Sequence, residues 1–325
     1  MADKENKTVD FEKLKRTVRV GVRMMDNVID ATPYFLPENE RMAKGERRLG
    51  LGVMGLADLL IYCEKTYGSP EGNELIDKVF ETIATEAYRT SIELAKEKGS
   101  FPFLEYGIGN FREEFINTGY MRRMPDDIRE GVLKYGIRNS HLLTVAPTGS
   151  TGTLVGVSTG LEPYFAFKYY RSGRLGKFIE VDADIIDELG VDPDNLPPYF
   201  VTAMDLSPEA HADVQCVIQR WVDSSISKTV NAPKGYSVEN VQKIYERLYK
   251  GGAKGGTVYV DGSRDSQVLS LSNDDKEAED ERIKETAEVG IEIGNTCPIC
   301  RDGTVVEQGG CNTCNTCGTQ LKCGL

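Results

Sequence analysis

The stretch HLLTVAPTGSTGTLVGVSTG, residues 141–160, joins a short apolar run to a loop rich in glycine and small hydroxyl residues. The run stops at Pro147, which is typical of a strand that ends where proline removes a backbone donor. Glycines expose backbone amides, and amides together with hydroxyls suit an anion such as phosphate. The loop lacks the lysine of GxxxxGK[ST], so the sequence does not favour ATP hydrolysis of that kind. From the residues alone, a phosphate cradle and a ligand-free connection both remain open.

Helix and strand patterns alternate on both sides of this loop. Apolar spacing predicts helices over residues 10–30 and 75–98. The first helix is predicted to bury Leu14, Val18, Val22, Met25 and Val28. Residues 47–63 are interpreted as a short strand that turns into a helix, and residues 151–158 as a further strand.

The second half of the chain continues the alternation. Helices are predicted to begin at Ser207-Pro208 and within residues 237–252, and a strand is predicted at residues 256–262. Alternating elements of this kind predict an α/β fold with a mainly parallel sheet covered by helices. Ligand sites in such folds lie at the carboxyl ends of strands, which is where the quoted loop is placed.

The overall composition bounds the function. The 325 residues include 51 acidic against 39 basic side chains, which argues against a general nucleic-acid-binding surface. No apolar run approaches the length of a membrane span, and the first residues lack the apolar region of a signal peptide. A cytoplasmic location is therefore expected.

Gly50, Gly52 and Gly55 match the G-x-G-x-x-G pattern of dinucleotide-binding folds. That pattern also requires a second strand ending in an acidic residue about 20 residues further on. Residues 64–75 are turn-like instead. The sequence therefore favours close packing of a strand and a helix over dinucleotide binding.

Six of the eight cysteines lie between Cys297 and Cys323, beyond an acidic segment at residues 271–295. Two C-x-x-C pairs at such a separation are typical of structural zinc. Cys297 and Cys300 form the first pair. The second pair is either Cys311 with Cys314 or Cys314 with Cys317; we favour the latter because Gly318 follows it. Cys311 and Cys323 are then left over.

Several blocks together resemble the large chains of ribonucleotide reductases. They occur in family order over residues 10–270, and they read MDNVID, RRLGLGVMGLADLL, RNSHLLTVAPTGSTG with GLEP, DSSISKTVNAP and KGGTVYVDGSRDSQVL. The form TGS and the cysteine-rich tail resemble the adenosylcobalamin-dependent class II enzymes. Val260 departs from the pattern, because relatives usually carry arginine there.

The resemblance implies a fold and a binding site. The family fold is a ten-stranded α/β barrel made of two five-stranded halves, and residues 1–270 would form the second half. Residues 296–325 would be a zinc ribbon. The acidic composition of residues 271–295 itself predicts a solvated linker or a lone exposed helix. The ribonucleotide phosphates, of a diphosphate or a triphosphate, would be held by Pro147, Thr148, Gly149, Ser150 and Thr151.

The radical cysteine of the family, in an N-x-C-x-E loop, has no counterpart in this sequence. Cys63 and Cys216 are interpreted as ordinary small apolar residues on predicted helices. We therefore expect no catalytic residue in this chain, which would be inert alone and active with a partner chain that supplies the radical loop and shares adenosylcobalamin. The start at Met1 favours a split gene, although a truncated chain would look the same.

The resemblance also implies a redox role for the tail. In the family, a C-terminal cysteine pair re-reduces the active-site disulfide and is itself reduced by a thioredoxin-like protein. Cys311 and Cys323 could be that pair, or the tail could be a zinc module alone. Two other functions remain open, a non-catalytic regulatory or binding protein and, more weakly, a zinc-ribbon protein that binds nucleic acid.

Overall fold

A computed structural model describes residues 1–105, 111–172, 178–193, 195–263, 269–270, 289–308 and 311–323. The chain forms two compact units, Met1–Phe167 with Asp182–Ser266, and Lys168–Val181 with Gln267–Leu325. Within the described ranges, no helix has the length and apolar character that crossing a membrane requires. Most of the predicted linker, residues 271–288, lies outside the described residues.

The described residues form a mixed α/β structure. Its α-helices are α1 Phe11–Ala31, α2 Pro37–Glu46, α3 Leu56–Tyr62, α4 Pro70–Lys98, α5 Phe111–Ile116, α6 Asp126–Tyr135, α7 Gly149–Leu154, α8 Asp184–Leu189, α9 Pro208–Gln219 and α10 Val238–Lys250. Its strands are β1 Ala2–Asp3, β2 Thr8–Val9, β3 Lys168–Ser172, β4 Phe178–Asp182, β5 Thr229–Ala232, β6 Thr257–Val260, β7 Leu269–Ser270, β8 Val305–Gln308, β9 Cys311–Cys314 and β10 Gln320–Cys323. Short 3₁₀ turns occur at Pro102–Leu104 and Met121–Arg123.

The predicted helices are confirmed, with two differences. α4 begins at Pro70, earlier than predicted, because the Ser69 hydroxyl accepts a hydrogen bond from the Gly72 amide and caps the helix there. The prediction that Val28 faces the core is wrong, since Val28 is 55% exposed and Ile29 is buried in its place. The buried face of α1 runs through Val18, Val22 and Ile29, and Val28 lies about 100° from Ile29 on the solvent side.

A buried ion pair joins α1 to the segment after α2. Asp26 is fully buried, and its Oδ1 accepts a hydrogen bond from Nε of Arg47 at 2.9 Å. The Asn139 amide donates to the same oxygen at 3.0 Å. These bonds explain why an aspartate occupies the buried face of an amphipathic helix.

Short parallel segments form the sheet of the first unit. Leu51 pairs with Leu143, and Val145 pairs with Ile226, both in parallel. β5 and β6 pair in parallel from Thr229↔Thr257 to Ala232↔Val260. The predicted parallel pairing is confirmed for these segments, whereas β1 with β2, β3 with β7, and β9 with both β8 and β10 pair antiparallel. The described residues do not close into a barrel.

The glycine motif serves close packing between two of these segments. A Cβ on Gly52 would lie 2.5 Å from the backbone oxygen of Thr144. One on Gly50 would lie 2.9 Å from the Thr144 methyl group. Glycine at position 52 therefore lets the two backbones approach each other.

The strand predicted over residues 151–158 is wrong, because α7 occupies the first half of that stretch and no strand follows in the second half. Thr148 has a φ of 49°, which turns the chain out of the extended conformation. Its carbonyl accepts a hydrogen bond from the Gly152 amide at 2.7 Å, and the Thr153 hydroxyl donates to the Gly149 carbonyl at 2.8 Å. Local bonds thus override the strand preference of the valines.

The second unit contains two small sheets. β3 lies between β4 and β7 in one of them. β8, β9 and β10 form an antiparallel sheet in the order β10-β9-β8. We call the described tail, residues 289–308 and 311–323, the cysteine ribbon.

Candidate functional site

The loop rich in glycine and small hydroxyl residues follows the parallel segment that ends at Val145. We call residues 147–160 the glycine loop. Gly149, Ser150 and Thr151 are exposed, and their amides form the first turn of α7, where N–H groups have no partner within the helix. Pro147 is exposed and Thr148 is half-buried. All five residues predicted to bind phosphate therefore lie together, beyond the carboxyl end of a parallel strand.

Hydrogen bonds hold the C-terminal end of the glycine loop in place. The Thr148 hydroxyl accepts a hydrogen bond from the Gly160 amide at 2.7 Å, which joins the two ends of the loop. The Ser158 amide donates to the Asp58 carboxylate on α3 at 2.8 Å. Tyr164 donates to the other oxygen of that carboxylate at 2.5 Å, and burial together with Asp58 raises the pKa of the Tyr164 hydroxyl. The loop therefore has a defined shape.

A buried cluster lies where the chain leaves the loop. The side chain of Lys228 is completely buried, and its Nζ lies 2.5 Å from Oε2 of Glu162. The same Nζ lies 2.9 Å from Nδ1 of His211. Glu162 and Lys228 lie in the family blocks GLEP and DSSISKTVNAP, but neither was predicted to have a role. The only signal for this cluster in the sequence was one glutamate and one lysine in two successive family blocks.

The cysteine ribbon brings four of the predicted ligands together. The sulfur atoms of Cys297, Cys300, Cys314 and Cys317 all lie within 4.8 Å of one another. Cys297 and Cys317 are 3.8 Å apart, and Cys300 and Cys314 are 3.6 Å apart. Sulfurs bound to tetrahedral zinc at about 2.3 Å would be separated by about 3.8 Å. The four thiols therefore fit a structural zinc ion.

Backbone amides point at these sulfurs. The amides of Ile299 and Gly303 donate to Cys297 and Cys300 at 3.4 Å. Amides of Asp302 and Gly303 lower the pKa of Cys300, and the hydroxyl and backbone amide of Thr319 lower the pKa of Cys317 to about 6. At Cys300 and Cys317 such bonds favour the thiolate form, which is the form that binds metal, whereas desolvation and the neighbouring thiols raise the pKa of Cys314 to about 11.

The leftover cysteines of the tail lie opposite each other on neighbouring strands. Cys311 takes part in a disulfide. In the antiparallel pairing of β9 with β10, the residue opposite Cys311 is Cys323. The side chain of Cys323 lies outside the described residues.

The two scattered cysteines have ordinary structural surroundings. Cys63 is 4% exposed and belongs to the main hydrophobic core. Cys216 packs against the smaller core that contains Ile244 and Leu248. Burial raises the pKa of both thiols, so neither has the surroundings of a reactive thiolate.

Comparison with known proteins identifies the family. Residues 1–259 match the family model of the ribonucleotide reductase barrel domain. A vitamin B12-dependent ribonucleoside-diphosphate reductase of Mycobacterium tuberculosis (strain H37Rv) is 33% identical over 287 residues, which cover 81% of this chain and 38% of that protein. The corresponding reductase of Thermoplasma acidophilum is 31% identical over 86% of this chain and 36% of its own length.

Relatives with a different name also match. The alpha subunit of the ribonucleoside-diphosphate reductase of Chlamydia pneumoniae is 28% identical over 77% of this chain and 28% of its own length. This chain thus spans well under half the length of these relatives. Because the family model covers most of the chain and the blocks around the glycine loop lie within it, the chain belongs to the ribonucleotide reductase barrel-domain family.

Proposed function

We propose that this chain is one subunit of a B12-dependent, class II ribonucleotide reductase and that it holds the substrate. The observation that carries the proposal is the match of residues 1–259 to the barrel domain, with the glycine loop at a strand end. Its reaction would convert ribonucleotides into 2′-deoxyribonucleotides.

The glycine loop would bind the phosphates of the substrate. Support comes from the exposed residues Gly149, Ser150 and Thr151, which lie in the first turn of α7, a place where backbone N–H groups favour an anion. Thr148 would keep the loop closed through its bond to Gly160. A fixed loop loses little freedom on binding, which favours affinity.

A second chain would supply the radical cysteine. Nowhere does this sequence contain the N-x-C-x-E pattern, and the matched region is 38% of the length of the Mycobacterium tuberculosis relative. Adenosylcobalamin would supply the radical chemistry when bound between the two chains. We assign no residue of this chain to the corrin ring.

The cysteine ribbon would bind one zinc ion through Cys297, Cys300, Cys314 and Cys317. Four thiolates with sulfur separations of 3.6 and 3.8 Å suit a closed tetrahedral site. With all four positions filled by protein, the ion would have no open site for substrate, so its role would be to stabilise the ribbon.

Cys311 and Cys323 would form the redox pair. In the reduced pair, one thiolate would attack the active-site disulfide and form a mixed disulfide, and the second thiol would displace it. The pair would then be oxidised and the active site reduced. A thioredoxin-like dithiol would return the pair to its reduced form. Support comes from the disulfide at Cys311 and the register that places Cys323 opposite it.

A charge placed in the glycine loop tests the assignment of the phosphate site. Gly149→Asp would introduce a carboxylate into open space and should raise the KM for the ribonucleotide by about tenfold or more, since like charges repel. Gly119→Asp is the matched control, because a Cβ on Gly119 would also have nothing within 4 Å. Equal KM values for the two variants, measured in the mixture with the partner chain, would remove the loop from the site.

A further inference from the structure

The ammonium group of Lys228 is buried and has little contact with water. Its side chain has no exposed surface, and an ammonium in such a place needs partners for all three of its donors. Nζ donates to Oε2 of Glu162 at 2.5 Å, to the Thr229 carbonyl at 2.7 Å and to Nδ1 of His211 at 2.9 Å. All three donors are therefore used.

His211 takes part as a neutral group. Its Nε2 lies 2.8 Å from the Ala203 carbonyl, so Nε2 carries the proton and Nδ1 accepts from Lys228. Burial and the neighbouring ammonium lower the pKa of His211 to about 4. Among the described residues, Glu162 is thus the only charged group bonded to the ammonium.

Glu162 connects this charge to the glycine loop. Its Oε1 accepts a hydrogen bond from the Thr229 amide at 2.6 Å, at the start of β5. Two residues earlier, the Gly160 amide donates to Thr148. The carboxylate therefore ties the exit of the loop to the neighbouring strand while it pairs with the ammonium.

We propose that Lys228 is a positioning residue for the glycine loop. By holding Glu162 against β5, it fixes Gly160 and through it Thr148, and so sets the affinity for the phosphates of a nucleotide without touching them. This inference rests on the proposed function, since it names a residue that serves the same site.

A purely structural role makes a different prediction. If the cluster served stability alone, removing the ammonium would lower the free energy of unfolding and leave the KM of the folded enzyme unchanged. A positioning role links the KM to the order of residues 148–162. The two roles therefore separate when kinetics and local amide exchange are measured on folded protein.

The test compares Lys228→Met with Lys228→Arg, which keeps a charge for Glu162, and with Lys234→Met, an exposed lysine nearby. In the mixture with the partner chain, Lys228→Met should raise the KM for the ribonucleotide roughly tenfold and change kcat less than about threefold. Lys228→Arg should restore most of the affinity, and Lys234→Met should match the unaltered chain. Amide exchange of residues 148–162 should accelerate in Lys228→Met alone.

An unchanged KM and unchanged loop exchange in folded Lys228→Met would overturn the proposal. If that variant fails to fold, the double variant Lys228→Met with Glu162→Ala gives the test, because it removes the bond to Thr229 without leaving either charge unpaired. This variant should raise the KM for the ribonucleotide and accelerate amide exchange of residues 148–162. No change in either quantity would overturn the proposal. If the unaltered mixture reduces no ribonucleotide, the proposed function fails, whereas loop exchange still decides whether Lys228 holds the loop.

Discussion

The glycine loop and the cysteine ribbon obtain their order from different sources. The glycine loop is held by hydrogen bonds to residues about 100 positions away in the sequence, such as that between Ser158 and Asp58. The cysteine ribbon is built from local pairs within residues 289–323, and its four clustered thiols suit a metal ion. The first region therefore depends on the whole of its unit, while the second depends on a few sulfur atoms.

Metal removal should have the largest effect and should affect one region only. Structural zinc contributes about 10–16 kcal/mol to the folding of small zinc domains. A strong chelator, or Cys297→Ala, should therefore unfold the cysteine ribbon while the first unit stays folded. Metal content by mass spectrometry and amide exchange of the two units check this. Exchange that is unchanged in a metal-free ribbon would show that a bound metal does not explain its order.

Breaking the buried ion pair of α1 should have the next largest effect, now on the other region. Arg47→Met would leave the fully buried Asp26 without its closest cation and should lower the free energy of unfolding of the first unit by about 3–5 kcal/mol. Arg48→Met is the control, since Arg48 is half exposed and such pairs contribute less than about 1 kcal/mol. Urea unfolding of the two variants gives the comparison, and equal losses would contradict it.

A methyl group at Gly52 should disturb the strands that carry the glycine loop. Gly52→Ala would place Cβ against the backbone oxygen of Thr144, at 2.5 Å. A backbone oxygen cannot move as a side chain can, so we expect a loss of about 3 kcal/mol. Gly119→Ala, where nothing lies within 4 Å, should cost far less. A similar loss in both variants would show that the close approach is unimportant.

Acid should weaken the first unit through His211. Its pKa is lowered to about 4 in the folded chain, against about 6.5 when unfolded, so the unfolded chain binds the proton more tightly. The stability that comes from the neutral ring is complete above pH 6.5 and is lost as the pH falls toward 4, with about 2 kcal/mol lost between pH 7 and pH 5. Urea unfolding at both values, with His211→Gln for comparison, measures the loss. An equal pH dependence in the variant would assign it to other groups.

The sequence predicted the regular parts of the fold for physical reasons. Amphipathic spacing identified α1 and α4, and Ser207-Pro208 marked the start of α9. It could not place Asp26 inside, because burial of that carboxylate depends on Arg47, which lies 21 residues away. The strand prediction after Thr148 failed for a local reason instead. A positive φ at Thr148 and the hydrogen bond from the Gly152 amide to its carbonyl outweighed the strand preference of the valines.

The sequence predicted the residues of the cysteine cluster but not those of the buried cluster around Lys228. The C-x-x-C spacing predicted the first pair of thiols and left two choices for the second, between which the following Gly318 decided correctly. The cluster of Lys228, Glu162 and His211 joins three distant segments, so no local pattern announces it. Val260, where relatives usually carry arginine, ends β6 and is half-buried, and nothing in the structure explains that difference.

The most direct test of the central claim is deoxyribonucleotide formation by this chain and a partner chain that carries N-x-C-x-E. The two chains are assayed separately and together, with a dithiol, and with or without adenosylcobalamin. We predict turnover only when both chains and adenosylcobalamin are present. Turnover by this chain alone, or none from the complete mixture of two folded chains, would contradict the account.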